Sequence, residues 1–113
     1  MSVTLLVVED KDKTLESICS AIKPLGFEVT TARDGLDGLS KAKQQYFDVI
    51  LLDHKMPVMD GLSLLKNLRE LEAYQHSPLL FMSTQDMVEI EPKALKAGAT
   101  QCLAKPLHED FLL

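Results

Sequence analysis

"VILLDHKMPVMDG" occupies residues 49–61. Four apolar residues, Val49 to Leu52, run unbroken into Asp53. A short continuous apolar run suits a central strand of a parallel sheet, covered on both faces. An aspartate at its end either caps the next segment or does chemistry at the strand's carboxyl end. Pro57 fixes one backbone angle of the loop that follows, and Gly61 is expected to permit a turn before the next helix.

Outward from this stretch, "TLLVV" (4–8) and "LLFM" (79–82) are further continuous runs. "FEVTTA" (27–32) alternates, as a half-exposed edge strand does, and "QCLA" (101–104) is a weaker fifth strand. Helical spacing fills the gaps. After Asp12, the expected N-cap, come Leu15, Ile18, Cys19 and Ile22, with Pro24 and Gly26 as the stop. Leu36, Leu39 and Ala42 mark a second helix, in which Gly38 costs about 1 kcal/mol. Leu62, Leu65, Leu68 and Leu71 mark a third. Ala94, Leu95 and Ala97 mark a fourth, closed by Gly98. Pro92 is expected in its first turn, which makes that helix short. The Asp-Gly-Leu units at 34–36 and 60–62 read as loop-to-helix junctions. "LHEDFLL" (107–113) opens a fifth helix, short or truncated. Strand–helix units in series build a doubly wound α/β sheet.

A length of 113 residues gives one domain, 1–113, and the stop at Leu113 is expected to mark a piece of a longer chain or a short last helix. A net charge of −5 argues against direct nucleic-acid binding. There is no apolar run of about 18 residues to span a membrane, and no secretory signal. Cys19 and Cys102 have no metal-ligand spacing and suit a reducing, cytoplasmic setting. His76 and His108 are isolated.

In such a sheet, ligands bind beyond the carboxyl ends of the strands. The first strand ends in Glu9-Asp10, the third in Asp53, the fourth in Ser83-Thr84 and the fifth in Lys105-Pro106. Singly, each could be a cap, a turn residue or a solvated side chain. Together they put a polar group at one edge from every central strand. Three acids there repel one another unless compensated. A divalent cation with hard oxygen ligands, Mg²⁺ before others, resolves that conflict. With Lys105 and a hydroxyl beside it, the edge is built for an anion, most naturally a phosphoryl group.

The pieces "VVED", "VILLDHKMPVMDG", "LLFMST", "KAGA" and "AKP" resemble the receiver domain of two-component response regulators. The resemblance implies a flavodoxin-like fold with strand order 2-1-3-4-5, an order for which a member of this family is itself a known example. It implies that Asp53 is the phosphoacceptor, taking a phosphoryl group from a phosphohistidine of a sensor histidine kinase or histidine phosphotransfer protein. It implies Mg²⁺ on Asp10, Asp53 and the backbone carbonyl of Lys55, with Glu9 acting through water. Ser83 and Lys105 would each take a phosphoryl oxygen, and the Lys105–Pro106 peptide would be cis. The implied output is a changed partner or homodimer surface on the fourth helix and fifth strand, read by a downstream output domain or protein.

Two positions depart from the family pattern. Cys102 stands where an aromatic switch residue is usual, and Thr84 stands where a smaller residue is common. Lys55 and Thr84 are expected to tune the lifetime of the acyl phosphate. His54 is read as a loop side chain facing solvent, and Met56, Met59, Met82 and Met87 as packing or loop residues. Three other functions compete. A flavodoxin-like nucleotide binder needs a phosphate loop after the first strand, where "EDKDK" is acidic. A Mg²⁺-dependent aspartyl phosphatase wants an acid two residues after the nucleophile, where Lys55 stands. A phosphorylation-independent interaction module has no use for five filled site positions.

Overall fold

Three apolar runs and the two weaker stretches form five parallel strands: β1 (Thr4–Val8), β2 (Glu28–Ala32), β3 (Val49–Asp53), β4 (Leu79–Ser83) and β5 (Gln101–Ala104). Their order is β2-β1-β3-β4-β5. This is a computed structural model, and it describes residues 2–105. The helices are α1 (Asp12–Ile22), α2 (Gly35–Gln44), α3 (Gly61–Glu70) and α4 (Met87–Ala97). The implied cis peptide at Lys105–Pro106 and the helix at 107–113 lie outside the described residues. Among the described residues, no helix is long and apolar enough to cross a membrane.

Strand alternation sorts the side chains into two cores. Leu6, Val8, Ile50, Leu52, Leu79 and Phe81 pack against Leu39, Leu64, Leu65, Leu68 and Ile90. Leu5, Val7, Leu51, Met82 and Leu103 face the other way, onto Ile18 and Ile22 of α1. Burying each such side chain is worth roughly 1.5–3 kcal/mol, so a one-residue slip of β3 would forfeit both cores. β2 lies at the edge and is half-exposed, as its alternation predicts.

Both Asp-Gly-Leu junctions are helix starts. Asp34 accepts the Asp37 N–H at 2.7 Å and Asp60 accepts the Ser63 N–H at 2.9 Å. These bonds satisfy donors that a helix's first turn leaves free. The expected cap of α1 is displaced by one residue. Lys11 is the N-cap and makes no side-chain cap bond, while Asp12 is the first helical residue. An acid there still meets the positive end of the helix dipole.

Four further expectations change. Pro92 lies inside α4, which runs a full 11 residues. Glu91, Pro92 and Lys93 are all exposed, so the missing N–H falls on the outer side of the helix. Leu36 and Leu95 keep helical spacing yet are 52% and 47% exposed, outside the buried stripe. Gly38 is more than a helix-weakening residue. A Cβ there would sit 2.8 Å from Cγ2 of Val8, so glycine lets α2 lie against β1. Gly61 does not make a turn before α3 but begins it, and a Cβ there would run into the Asp53 carbonyl.

At the amino ends of the strands, Arg69 ties three segments together. Its guanidinium donates to the carbonyls of Tyr74 and Ser77 (both 2.7 Å) and of Gly98 (2.8 Å). The buried Tyr74 hydroxyl accepts the Phe47 N–H at 3.1 Å and reaches the carbonyls of Ala42 and Gln45 at 2.9 and 3.0 Å. Burial pushes the Tyr74 phenol above its ordinary value.

Candidate functional site at the carboxyl edge of the sheet

Parity along the strands decides where each polar side chain goes. Asp53 follows Leu52 and so shares the α1 side with Leu51; Glu9 and Lys105 continue the phase of Val7 and Leu103. These three groups meet. Lys105 Nζ donates to Glu9 Oε1 at 2.7 Å and to Asp53 Oδ1 at 2.9 Å. Glu9 is fully buried, and its other oxygen accepts the backbone N–H of Asp10 at 3.0 Å. Burial raises the Glu9 carboxyl above its ordinary value, helped by the Asp53 charge and opposed by the Lys105 hydrogen bond. Burial pulls the Lys105 ammonium down, but its bonds to Glu9 and Asp53 outweigh this and hold it above its ordinary value.

Asp10 completes the acidic group. Ligand oxygens of Glu9, Asp10 and Asp53 all lie within 4.8 Å of one another. Asp10 Oδ1 is buried without a hydrogen-bond partner among the described residues, and Lys11 Nζ stands 3.9 Å from it, beyond hydrogen-bond reach. A buried anionic oxygen left unpaired is costly unless something cationic joins it. The donor set, all hard oxygen, fits Mg²⁺.

A cavity of about 210 Å³ opens on this edge, lined by Lys11, Thr14, Asp53, His54, Lys55, Ser83, Thr84 and Lys105. Of the residues singled out in the sequence, Asp53, Lys55, Ser83, Thr84 and Lys105 share that wall, with Glu9 and Asp10 grouped around Asp53. Cys102 is not on it. Its thiol is buried on the opposite face of the sheet, 3.6 Å from the Met87 sulfur. Lys11 and Thr14 also line the cavity, from the start of α1.

His54 overturns the expectation of a solvent-facing loop residue. It is only 4% exposed, and its ring lies 5.2 Å from that of Phe81. Its Nδ1 is 3.1 Å from Ser83 Oγ. Burial, then the neighbouring Lys55 charge, lowers the imidazole below its ordinary value. Parity held the missed signal. Residues 50, 52 and 54 share one face of the sheet with 79, 81 and 83, so strand pairing puts His54 beside Ser83.

The match to known proteins agrees with this geometry. The family model for the response regulator receiver domain covers residues 5–113. This chain belongs to that family. The receiver domain is 36% identical over 109 residues to the transcriptional regulatory protein DltR of Streptococcus agalactiae, covering 96% of this chain and 48% of that protein. It is 37% identical over 102 residues to the transcriptional regulatory protein PrrA of Mycobacterium tuberculosis, covering 90% of this chain and 43% of that one. The chain therefore spans less than half the length of these curated relatives. Among solved structures, the chemotaxis response regulator CheY4 of Vibrio cholerae superposes with a TM-score of 0.92 at 33% identity, covering 99% of this chain and 93% of that one. The receiver domain of sensor histidine kinase PA1611 from Pseudomonas aeruginosa, whose cleft coordinates a magnesium ion, gives 0.91 at 29%, covering 99% and 92%.

Proposed function

We propose that this receiver domain accepts a phosphoryl group on Asp53 from a phosphohistidine of a sensor histidine kinase or histidine phosphotransfer protein, and that loading changes which partners it binds. The observation that carries the reading is the convergence of Asp53, Lys105 and Ser83 on one open cavity, with the Asp10 carboxylate grouped against Asp53. An Asp53 oxygen bonds to phosphorus as the phosphorus–nitrogen bond breaks, leaving imidazole and an acyl phosphate. Lys105 holds the Asp53 side chain in place and takes up negative charge on the phosphoryl oxygens. Ser83 offers its hydroxyl to another oxygen.

Asp10 and Asp53, with the Lys55 carbonyl, would hold Mg²⁺. Glu9 has both oxygens engaged by Lys105 and the Asp10 N–H, which favours an indirect role through water. Bound Mg²⁺ would supply the charge neutralisation that phosphoryl transfer needs. The exposed side chains of Lys55 and Thr84 stand at the cavity wall, in position to govern water access and so acyl phosphate lifetime. Output would leave through α4 and β5, where Val88 (81% exposed) and Leu95 offer apolar contact to an output domain, another protein or a second copy. Both cysteines are free, which favours a cytoplasmic setting. The transcriptional roles in the relatives' names belong to proteins more than twice as long.

Acetyl phosphate with Mg²⁺, followed by intact mass measurement, tests the proposal. One added phosphoryl group is expected in the wild type and none in Asp53→Ala. No addition, or addition that survives Asp53→Ala, would overturn it.

A further inference from the structure

Ser83 Oγ is nearly inaccessible, yet it sits between two partners. It accepts the Gln85 N–H at 3.0 Å and lies 3.1 Å from His54 Nδ1. A hydroxyl has one proton and two lone pairs. With Gln85 on one lone pair, the His54 contact has two forms. Either the Ser83 O–H donates to a bare Nδ1, or an Nδ1–H donates to the second lone pair. A buried hydroxyl proton needs an acceptor. Gln85 N–H is a donor, so the first form is the one that satisfies it in the resting domain.

The ring is well held for this task. The His54 backbone N–H donates to the Met82 carbonyl at 2.9 Å, its own carbonyl accepts the Gly61 N–H at 2.7 Å, and Phe81 packs against the ring at an interplanar angle of 46°. Asp53 and His54 are consecutive, so one peptide unit fixes the acid on one side of the sheet edge and the imidazole on the other.

We propose that His54 is the positioning residue for the Ser83 hydroxyl. Its Nδ1 accepts the O–H while Asp53 is free, and gives it up to a phosphoryl oxygen when Asp53 is loaded. The inference rests on the reading of Asp53 as phosphoacceptor. No proton changes owner in the exchange: the hydroxyl turns from nitrogen to oxygen. The contact therefore competes with the loaded state, and the imidazole sets how readily Ser83 responds.

Ring ¹⁵N NMR of His54 tests the resting half without any ligand. The wild type should show bare Nδ1 and protonated Nε2, with the Nδ1 signal displaced in Ser83→Ala. A protonated Nδ1, or a signal indifferent to Ser83→Ala, would overturn the proposal. A side chain that only fills space beside Phe81 would show that indifference. The loaded half uses beryllofluoride with Mg²⁺ as the acyl phosphate mimic. Binding should shift Nδ1 towards its Ser83→Ala position. His54→Phe keeps a ring and loses the acceptor, so it should bind the mimic about fivefold more tightly. His54→Asn places an amide oxygen near the Nδ1 position and should bind as the wild type does. Equal affinities in the Phe and Asn variants, or an Nδ1 signal unmoved by bound mimic, would overturn the exchange while leaving Asp53 as acceptor. A wild type that binds no mimic and gains no phosphoryl mass would instead overturn the phosphoacceptor reading, and the exchange with it.

Discussion

The two ends of the sheet handle buried polar groups in opposite ways. At the amino ends, Arg69 and Tyr74 spend their donors on the carbonyls of Tyr74, Ser77 and Gly98 and of Ala42 and Gln45. At the carboxyl ends, three acids crowd within 4.8 Å, one lysine serves two of them, and among the described residues Asp10 Oδ1 has no hydrogen-bond partner, only the Lys11 ammonium at 3.9 Å. The first network is closed and serves stability. The second leaves its acids to be compensated by the proposed cation and phosphoryl group, and holds them together at a cost. The proposed function sits where satisfaction is incomplete.

The largest effect should come from breaking the closed end. Arg69→Ala orphans three carbonyls and should lower unfolding free energy by about 3 kcal/mol in urea titrations. Phosphoryl uptake, measured well below the midpoint, should be unchanged. Lost uptake in the folded variant would show that the two ends are not separable.

Lys105→Met should do the reverse. Uptake from acetyl phosphate, followed by mass, should slow about 100-fold, near 2.7 kcal/mol of barrier. Stability should fall by less than in Arg69→Ala, because burial already raises the Glu9 carboxyl and loss of the lysine raises it further, so Glu9 can take up a proton in place of the ion pair.

Tyr74→Phe keeps the ring and removes the hydroxyl. It strands the Phe47 N–H and should cost about 1–2 kcal/mol near neutral pH. The folded phenol holds its proton more tightly than the unfolded one, whose pKa is about 10. The wild type therefore keeps this contribution below pH 10 and loses it as the pH rises further. The stability difference between wild type and Tyr74→Phe should narrow as the pH rises above about 10. A constant difference would contradict the burial of that hydroxyl.

Most of this layout was legible in the residues. Apolar runs at 4–8, 49–52 and 79–82 need two covered faces, which leaves little choice but a parallel sheet. The polar residues that end those runs then fall on one edge, so the sequence alone groups Glu9, Asp10, Asp53, Ser83 and Lys105. What escaped depended on contacts between elements. Gly38 looks like a local weakness in a helix and Gly61 like a turn residue, whereas Val8 and the Asp53 carbonyl require them. Leu36 and Leu95 keep helical spacing but fall outside the stripe that the sheet covers. Pro92 resembles a helix start because a lost backbone bond is penalised locally, and α4 tolerates it on its exposed side. His54 looked solvent-facing because it follows the strand. Its amide in fact extends the ladder by one bond, to Met82, and the strand's phase extends with it.

The smallest change probes the central claim most directly. Thermal unfolding of the wild type and Asp10→Asn should be compared with and without Mg²⁺. Asp10→Asn is expected to be about 1 kcal/mol more stable than the wild type in chelator, since one of three crowded like charges is gone. Mg²⁺ is expected to raise the midpoint of the wild type but scarcely that of the variant. A variant that is less stable in chelator and gains as much from Mg²⁺ as the wild type would contradict the claim that the crowded acids are held for a cation.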